Sequence, residues 1–124
     1  MLVEFLIPTF NRIYPLNSML ASLLAQTDKD WQAQVIVDNP GINVKGYLTV
    51  PIDSRIKYTV LDKRYNDYGH TPREIFKQQS EAEYLIMTGD DNYYTPNMVS
   101  ELRQVVQSKP GFKGSLYYER IREI

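Results

Sequence analysis

Short apolar runs alternate along this chain with segments in which apolar residues recur every three or four positions. The apolar runs predict strands at residues 3–7, 34–37, 83–88 and 114–118, and alternation of apolar with polar or aromatic residues predicts another at residues 56–61. The periodic segments predict helices that follow Pro15, Thr71 and Thr95. Strands that alternate with helices favour a mostly parallel sheet with helices on both faces, which is an α/β, Rossmann-like fold.

Prolines predict where several of these elements begin and end. Pro8 is expected to stop the first strand, because it has no backbone N–H to donate. Thr71 before Pro72 predicts a helix capped by the threonine side chain, since proline is favoured at the first helical position. Thr95 before Pro96 repeats this signal, so another helix is expected to start there.

The composition fits one globular domain. The chain has 124 residues, of which 43% are hydrophobic and 23% are charged, and we expect a single domain over residues 1–124. Its formal net charge of -1 argues against a nucleic-acid partner. The absence of cysteine excludes disulfides, thiol catalysis and cysteine zinc sites. No apolar run approaches the roughly 18–20 residues of a membrane span and no signal-like start is present, so we expect a cytoplasmic protein without a transmembrane segment.

Polar clusters follow three of the predicted strands. They are residues 9–12, Asp38 with Asn39, and the run Asp90, Asp91 and Asn92. Ligands of open parallel sheets bind beyond the carboxyl ends of the strands, so these clusters are expected to line one site. The oxygens of the acidic run suit a divalent cation that bridges to a diphosphate. A solvated turn in which an aspartate caps the next helix explains the same run equally well.

Other kinds of site find less support in the sequence. An EF-hand that starts at Asp90 would need glycine at its sixth position, where Thr95 stands. Phosphate-loop and dinucleotide glycine motifs are absent, and no nucleophile motif accompanies His70. Tyr93 and Tyr94 are placed to flank a base or sugar ring, but packing at the start of the next helix is the interpretation we favour.

Three segments together resemble the family 2 glycosyltransferases, which have the GT-A fold. The matching segments are residues 5–12, 35–39 and 83–92, in the same order and at the same spacing as in that family, and the resemblance covers essentially the whole chain. It implies a metal-dependent, inverting transfer of sugar from a nucleotide diphosphate sugar, commonly a UDP-sugar, with Mn²⁺ or Mg²⁺ as cofactor. The acceptor is not implied.

The same resemblance implies roles for individual positions. A loop at residues 66–69 resembles the family's Asn-x-Gly loop with one extra residue. Two positions depart from the family pattern, because asparagine stands at 39 and 92 where acids are common. The implied nucleotide-binding residues are Pro8, Thr9, Phe10, Arg12, Asp38, Asn39, Arg73 and Asp90, and the implied metal-binding residues are Asp91 and Asn92.

The sequence is compatible with two functions. The chain stops soon after the half that resembles the donor site, and no residue in it is assigned as the general base. It is therefore expected to be either a minimal glycosyltransferase or a non-catalytic nucleotide-sugar-binding or assembly module. An unpaired edge at the last predicted strand would be covered by the tail or by another copy, so we also expect a homodimer.

Overall fold

The computed structural model describes residues 1–10, 12–38, 46, 48–65, 67 and 70–108. Within them the elements run β1 (Val3–Thr9), α1 (Ile13–Leu24), β2 (Trp31–Val37), β3 (Ile56–Val60), α2 (His70–Lys77), β4 (Tyr84–Met87) and α3 (Met98–Ser108). All strand pairs are parallel and the order across the sheet is β3-β2-β1-β4. The predicted parallel α/β fold is confirmed.

Two predictions fall outside this part of the chain. The strand expected at residues 114–118 lies outside the described residues, and so does the sheet edge on which the homodimer prediction depends. None of the helices in the described ranges is long and apolar enough to span a bilayer.

One face of the sheet carries the hydrophobic core. Phe5 is in register with Ala33 of β2 and Ile86 of β4, so alternate residues of these strands point to the same side. Buried side chains of α1 and α3 pack against this side of the sheet. Burial of each large apolar side chain contributes about 1.5–3 kcal/mol to the stability of the fold. The helical members are Leu16, Met19, Leu20, Leu23, Met98, Val99 and Leu102.

The opposite face is more polar and is covered by α2. Leu6 and Ile36 are fully buried on it, whereas Glu4 and Gln34 line a small cleft that Phe76 of α2 also lines. Helices therefore lie on both faces of the sheet, as predicted.

Pro8 does not end the first strand, so that prediction is wrong. β1 continues to Thr9, with Pro8 in register with Ile36 of β2. The carbonyl of Leu6 accepts a hydrogen bond from Thr88 on the β4 side, and Pro8, two residues later, faces the same side. β4 ends at Met87, so no residue of that strand lies opposite Pro8. The missing N–H of the proline therefore costs the sheet no hydrogen bond.

The second helix is capped from outside the predicted motif. It begins at His70, and Thr71 lies inside it rather than at its cap. The carboxylate of Asp67 accepts hydrogen bonds from the Thr71 backbone N–H, at 3.0 Å, and from the Thr71 hydroxyl. The aspartate thus supplies the acceptor that the sequence pattern assigned to the threonine.

The third helix starts against a buried glutamine. It begins at Met98, after the predicted Thr95 and Pro96. The side chain of Gln26, fully buried, accepts a hydrogen bond from Val99 N at 3.1 Å and donates to Thr95 O at 2.7 Å. The Gln26 amide therefore forms hydrogen bonds with the Val99 N–H, which has no partner inside the helix, and with the Thr95 carbonyl that precedes the helix.

Candidate functional site

A cleft of about 340 Å³ lies at the carboxyl edge of the sheet, where β1, β2 and β4 end. The structure brings most of the predicted site residues together in it. Asn39 is outside the described residues, and Asn92 is near the cleft without lining it. The residues that line the cleft are Pro8, Thr9, Phe10, Arg12, Asp38, Arg64, Arg73, Gly89, Asp90 and Asp91.

Thr9 and Asp90 join the end of β1 to the loop that follows β4. The Thr9 hydroxyl donates a hydrogen bond to Asp90 Oδ2 at 2.6 Å, and both residues are buried. Burial raises the pKa of Asp90 above its ordinary value, while the Thr9 hydrogen bond and the charge of Arg12 act in the opposite direction. The Asp90 carboxylate is therefore held in one orientation at the floor of the cleft.

Arg12 bridges the two adjacent acids. Its Nε lies 3.5 Å from Asp90 Oδ1, and its Nη2 lies 3.3 Å from Asp91 Oδ2. The side chains of Arg12 and Asp91 are each about half exposed, at 52% and 55%. One guanidinium thus offsets the repulsion between neighbouring carboxylates that would otherwise disfavour their ionised forms.

The loop between β4 and α3 is fixed by Thr88. Its hydroxyl accepts hydrogen bonds from Tyr94 Oη at 2.9 Å and from Asn92 Nδ2. Tyr94 is buried and its ring lies 5.5 Å from that of Phe5, so the packing role favoured for the pair is confirmed for Tyr94. Tyr93 is 47% exposed, and the packing prediction is not borne out for it. Asn92 orders the loop through its amide nitrogen, and its predicted part in metal binding stays a prediction.

Asp38 connects the ends of β2 and β1 to the segment after β3. Its backbone N–H donates to Thr9 O at 2.9 Å, and its Oδ1 accepts a hydrogen bond from the Tyr65 backbone N–H at 2.8 Å. Asp38 is buried at the edge of the cleft. The backbone N–H of Tyr65 therefore orients the Asp38 carboxylate. Asp38 follows β2 and Asp91 follows β4, so the two acids lie on either side of the end of β1.

Two further arginines line the cleft. Arg73, on α2, donates through Nη2 to Thr88 O at 3.1 Å. Its burial lowers the pKa of its guanidinium, and the charge of Asp67 partly offsets that effect. The guanidinium of Arg64 stacks on the Phe10 ring at 3.4 Å from the ring centroid. Arg64 was not among the predicted site residues, although its place in the polar segment after a strand end was a signal for it.

The donor set fits a cation only in part. Within the described ranges, no group of three or more His, Cys, Asp or Glu side chains is close enough to hold a metal ion. Asp90 and Asp91 offer adjacent carboxylates, and Mg²⁺ is commonly bound through one or two carboxylates with phosphates and waters as its other ligands. The arrangement therefore suits a cation that arrives with a diphosphate, and it does not make a closed, all-protein metal centre.

Comparisons with known proteins extend this picture. No protein-family model matches the chain. An uncharacterized glycosyltransferase of Haemophilus influenzae is 23% identical over 109 residues, which are 88% of this chain and 36% of that protein. Among solved structures, S. aureus TarS 1-349 matches with a TM-score of 0.72 at 15% identity, over 94% of this chain and 39% of the other. Its complex with UDP-GlcNAc matches with a TM-score of 0.73 at 16% identity, over 94% and 37%.

The chain spans between about a third and two fifths of the length of these two proteins. The sequence identities are low, and the agreement in fold extends over nearly the whole chain. The chain therefore has an α/β fold of the GT-A type.

Proposed function

We propose that this chain is the donor-binding part of a glycosyltransferase that uses a nucleotide diphosphate sugar, with UDP as the expected nucleotide and Mn²⁺ or Mg²⁺ as the cofactor. The observation that carries the proposal is the cleft in which Thr9 and Arg12 orient Asp90 and Asp91 at the carboxyl edge of the sheet. The TarS structures that share this fold include complexes with UDP and with UDP-GlcNAc, which supports a UDP-sugar as donor.

The nucleoside would bind at the ends of β1 and β2. Pro8 and Phe10 offer apolar surface for the base, and the Asp38 carboxylate is the group that would accept the N–H of a uracil ring. The hydrogen bond from Tyr65 N to Asp38 Oδ1 fixes the orientation of that carboxylate before the nucleotide arrives. Such prior ordering reduces the entropy lost on binding.

The diphosphate would lie between the arginines and the acidic loop. Arg12, Arg64 and Arg73 line the cleft, and guanidinium groups bind phosphate oxygens through paired, charge-assisted hydrogen bonds. Asp91, with Asp90 beside it, would hold the cation, which when bound neutralises charge on the departing diphosphate. Sugar transfer would be an inverting displacement at the anomeric carbon. No residue of this chain is assigned as the base that activates the acceptor.

Calorimetric titration of the purified protein tests donor binding. We expect UDP and UDP-GlcNAc to bind in the presence of Mn²⁺ more tightly than in EDTA, and more tightly than ADP. Asp91→Asn should abolish the effect of the metal on UDP affinity. Glu81→Gln removes the same charge from an exposed position before β4, at the opposite edge of the sheet, and should leave binding unchanged. Equal metal dependence in wild type and Asp91→Asn would contradict the assignment.

A second measurement separates transfer from binding alone. UDP release from UDP-glucose, UDP-galactose or UDP-GlcNAc is followed with Mn²⁺ or Mg²⁺, with and without sugar acceptors. Release that depends on the metal and on Asp91 supports the transferase. Donor binding with no release from any of the three favours the non-catalytic nucleotide-sugar-binding module.

A further inference from the structure

Arg12 occupies the oxygens that the proposed cation would need. Asp90 has Oδ2 bonded to Thr9 and Oδ1 next to Arg12 Nε, so both of its carboxylate oxygens already have partners. Asp91 contacts the same guanidinium through Oδ2. In this arrangement the positive charge that stabilises the acidic pair comes from the protein itself.

A divalent cation bound to Asp90 Oδ1 and Asp91 Oδ2 would lie within a few ångströms of the Arg12 guanidinium, which contacts the same two oxygens. Because both groups are positive, a cation that takes these oxygens competes with Arg12 and repels it. The exchange is feasible because Arg12 is half exposed, and its ion pairs, at 3.3 and 3.5 Å, are longer than the 2.6 Å pair of Arg103 with Asp28.

The displaced side chain would remain in the cleft. Arg12 directly precedes α1, and its carbonyl accepts a helical hydrogen bond from Leu16 N at 3.0 Å, so its backbone is fixed while its side chain can rotate. It lines the same cleft as Arg64 and Arg73. A guanidinium released from two carboxylates gains most by pairing with another anion, and a diphosphate is the anion that the cation would bring.

We propose that Arg12 is an exchangeable positioning residue, which holds Asp90 and Asp91 together in the absence of a cation and transfers to the donor diphosphate when a cation takes its place. The inference rests on the proposed function and deepens it. It assigns to one side chain opposite effects on two ligands, since Arg12 opposes the binding of the cation alone and favours the binding of the nucleotide with the cation.

Titration of Arg12→Gln tests both effects. A unit charge a few ångströms from a divalent ion changes affinity by about tenfold even at the dielectric constant of water. We therefore expect Arg12→Gln to bind Mn²⁺ alone about tenfold more tightly than wild type, and to bind UDP in saturating Mn²⁺ about tenfold more weakly. Arg12→Lys keeps the charge without the planar fork, so both of its affinities should lie between those of wild type and Arg12→Gln. Adding Asp91→Asn to Arg12→Gln should remove the gain in Mn²⁺ affinity.

Arg103 provides a matched control at the other edge of the sheet. Its guanidinium also bridges two acids, with contacts of 2.6 Å to Asp28 and 2.9 Å to Asp30, just before β2. Arg103→Gln makes the same change in net charge and should leave the Mn²⁺ and UDP affinities as in wild type. An equal gain in Mn²⁺ affinity in Arg103→Gln would mean that net charge is the cause, and the exchange would be wrong.

The remaining outcomes separate the two proposals. If wild type binds UDP with Mn²⁺ and Arg12→Gln weakens both ligands or leaves Mn²⁺ affinity unchanged, the exchange is overturned and the proposed function stands. If wild type binds no nucleotide with any cation, the proposed function fails and the exchange fails with it. Circular dichroism of each variant shows whether a loss of affinity reflects unfolding. If Arg12→Gln does not fold, the Mn²⁺ and UDP affinities of Arg12→Lys test the exchange instead.

Discussion

The hydroxyl of Thr9 donates a 2.6 Å hydrogen bond to the carboxylate of Asp90, 81 residues further along the chain. Thr9 is the last residue of β1, and Asp90 lies in the loop after the neighbouring parallel strand β4. Both residues are buried. A buried carboxylate loses the water that would have solvated it, so a protein donor at this distance replaces part of that solvation. The contact therefore links the stability of the sheet edge to the shape of the candidate site.

Replacement of Thr9 by valine removes this donor with little change in side-chain volume. The carboxylate of Asp90 would lose one of its partners in a buried position, which costs about 1–3 kcal/mol of the free energy of unfolding. We expect urea denaturation to show a loss of that size. Thr59→Val, on the edge strand β3, makes the same substitution at a half-buried position and should change the free energy by less than about 0.5 kcal/mol. Equal losses in the two variants would contradict the role given to Thr9.

Gln26 is the side chain on which the start of α3 depends. Gln26→Met keeps a similar length and removes both polar atoms, leaving Thr95 O and Val99 N without their bonds to this side chain. Because each buried group left unsatisfied costs about 1–3 kcal/mol, we expect a loss of at least about 2 kcal/mol in the free energy of unfolding. Gln104→Met, on the exposed side of α3, is the control and should have little effect. A similar stability for wild type and Gln26→Met would show that water replaces the amide.

The sequence predicted the sheet better than it predicted the helix starts. The buried strands β1 and β2 and the strand β4 read as apolar runs, and β3 reads as an alternating segment, so all four were found from pattern alone. The partners that cap α2 and α3 were missed for a physical reason. A cap can come from any side chain brought near by the fold, and Gln26, 69 residues from Thr95, has no local signature.

The sequence predicted where the candidate site lies but not all of the contacts within it. Ligands of parallel sheets bind beyond the carboxyl ends of the strands, so the position of Asp38, Asp90 and Asp91 directly after predicted strands was enough to expect them at one edge. The bridge of Arg12 across both acids and the stacking of Arg64 on Phe10 depend on side-chain rotamers, which sequence spacing does not encode. The same spacing is therefore compatible with a solvated turn and with an ordered cleft, and only the contacts distinguish them.

Asp53 should make stability depend on acid pH. Hydrogen bonds from the Arg55 side chain and backbone lower the pKa of Asp53 to about 2 from an ordinary value near 3.8. A carboxyl group whose pKa is lowered by folding stabilises the folded state above the unfolded value, and that contribution is lost as pH falls from about 4 to about 2. Its side chain is 24% exposed, so solvent screening limits the contribution to about 1 kcal/mol.

Asp53→Asn is the variant that isolates this contribution. The unfolding free energies of wild type and variant should differ by about 1 kcal/mol at pH 6 and should converge as the pH approaches 2. Glu81→Gln, at an exposed position, is the control. A difference that stays constant from pH 6 to pH 2 would mean that Asp53 stabilises the protein through its shape and not through its charge.

Gly89 tests how closely the cleft depends on the position of Asp91. A Cβ added at residue 89 would lie 3.1 Å from Asp91 Oδ1, so the carboxylate must shift by a few tenths of an ångström to admit alanine. Asp91 is exposed and can move, which limits the cost to less than about 1 kcal/mol of the free energy of unfolding. If Asp91 holds the cation, this displacement should weaken Mn²⁺-dependent UDP binding several-fold while leaving UDP affinity in EDTA unchanged. Calorimetry on Gly89→Ala measures both affinities. Full Mn²⁺ dependence in a folded Gly89→Ala protein would show that the cation does not require the Asp91 carboxylate at its present position.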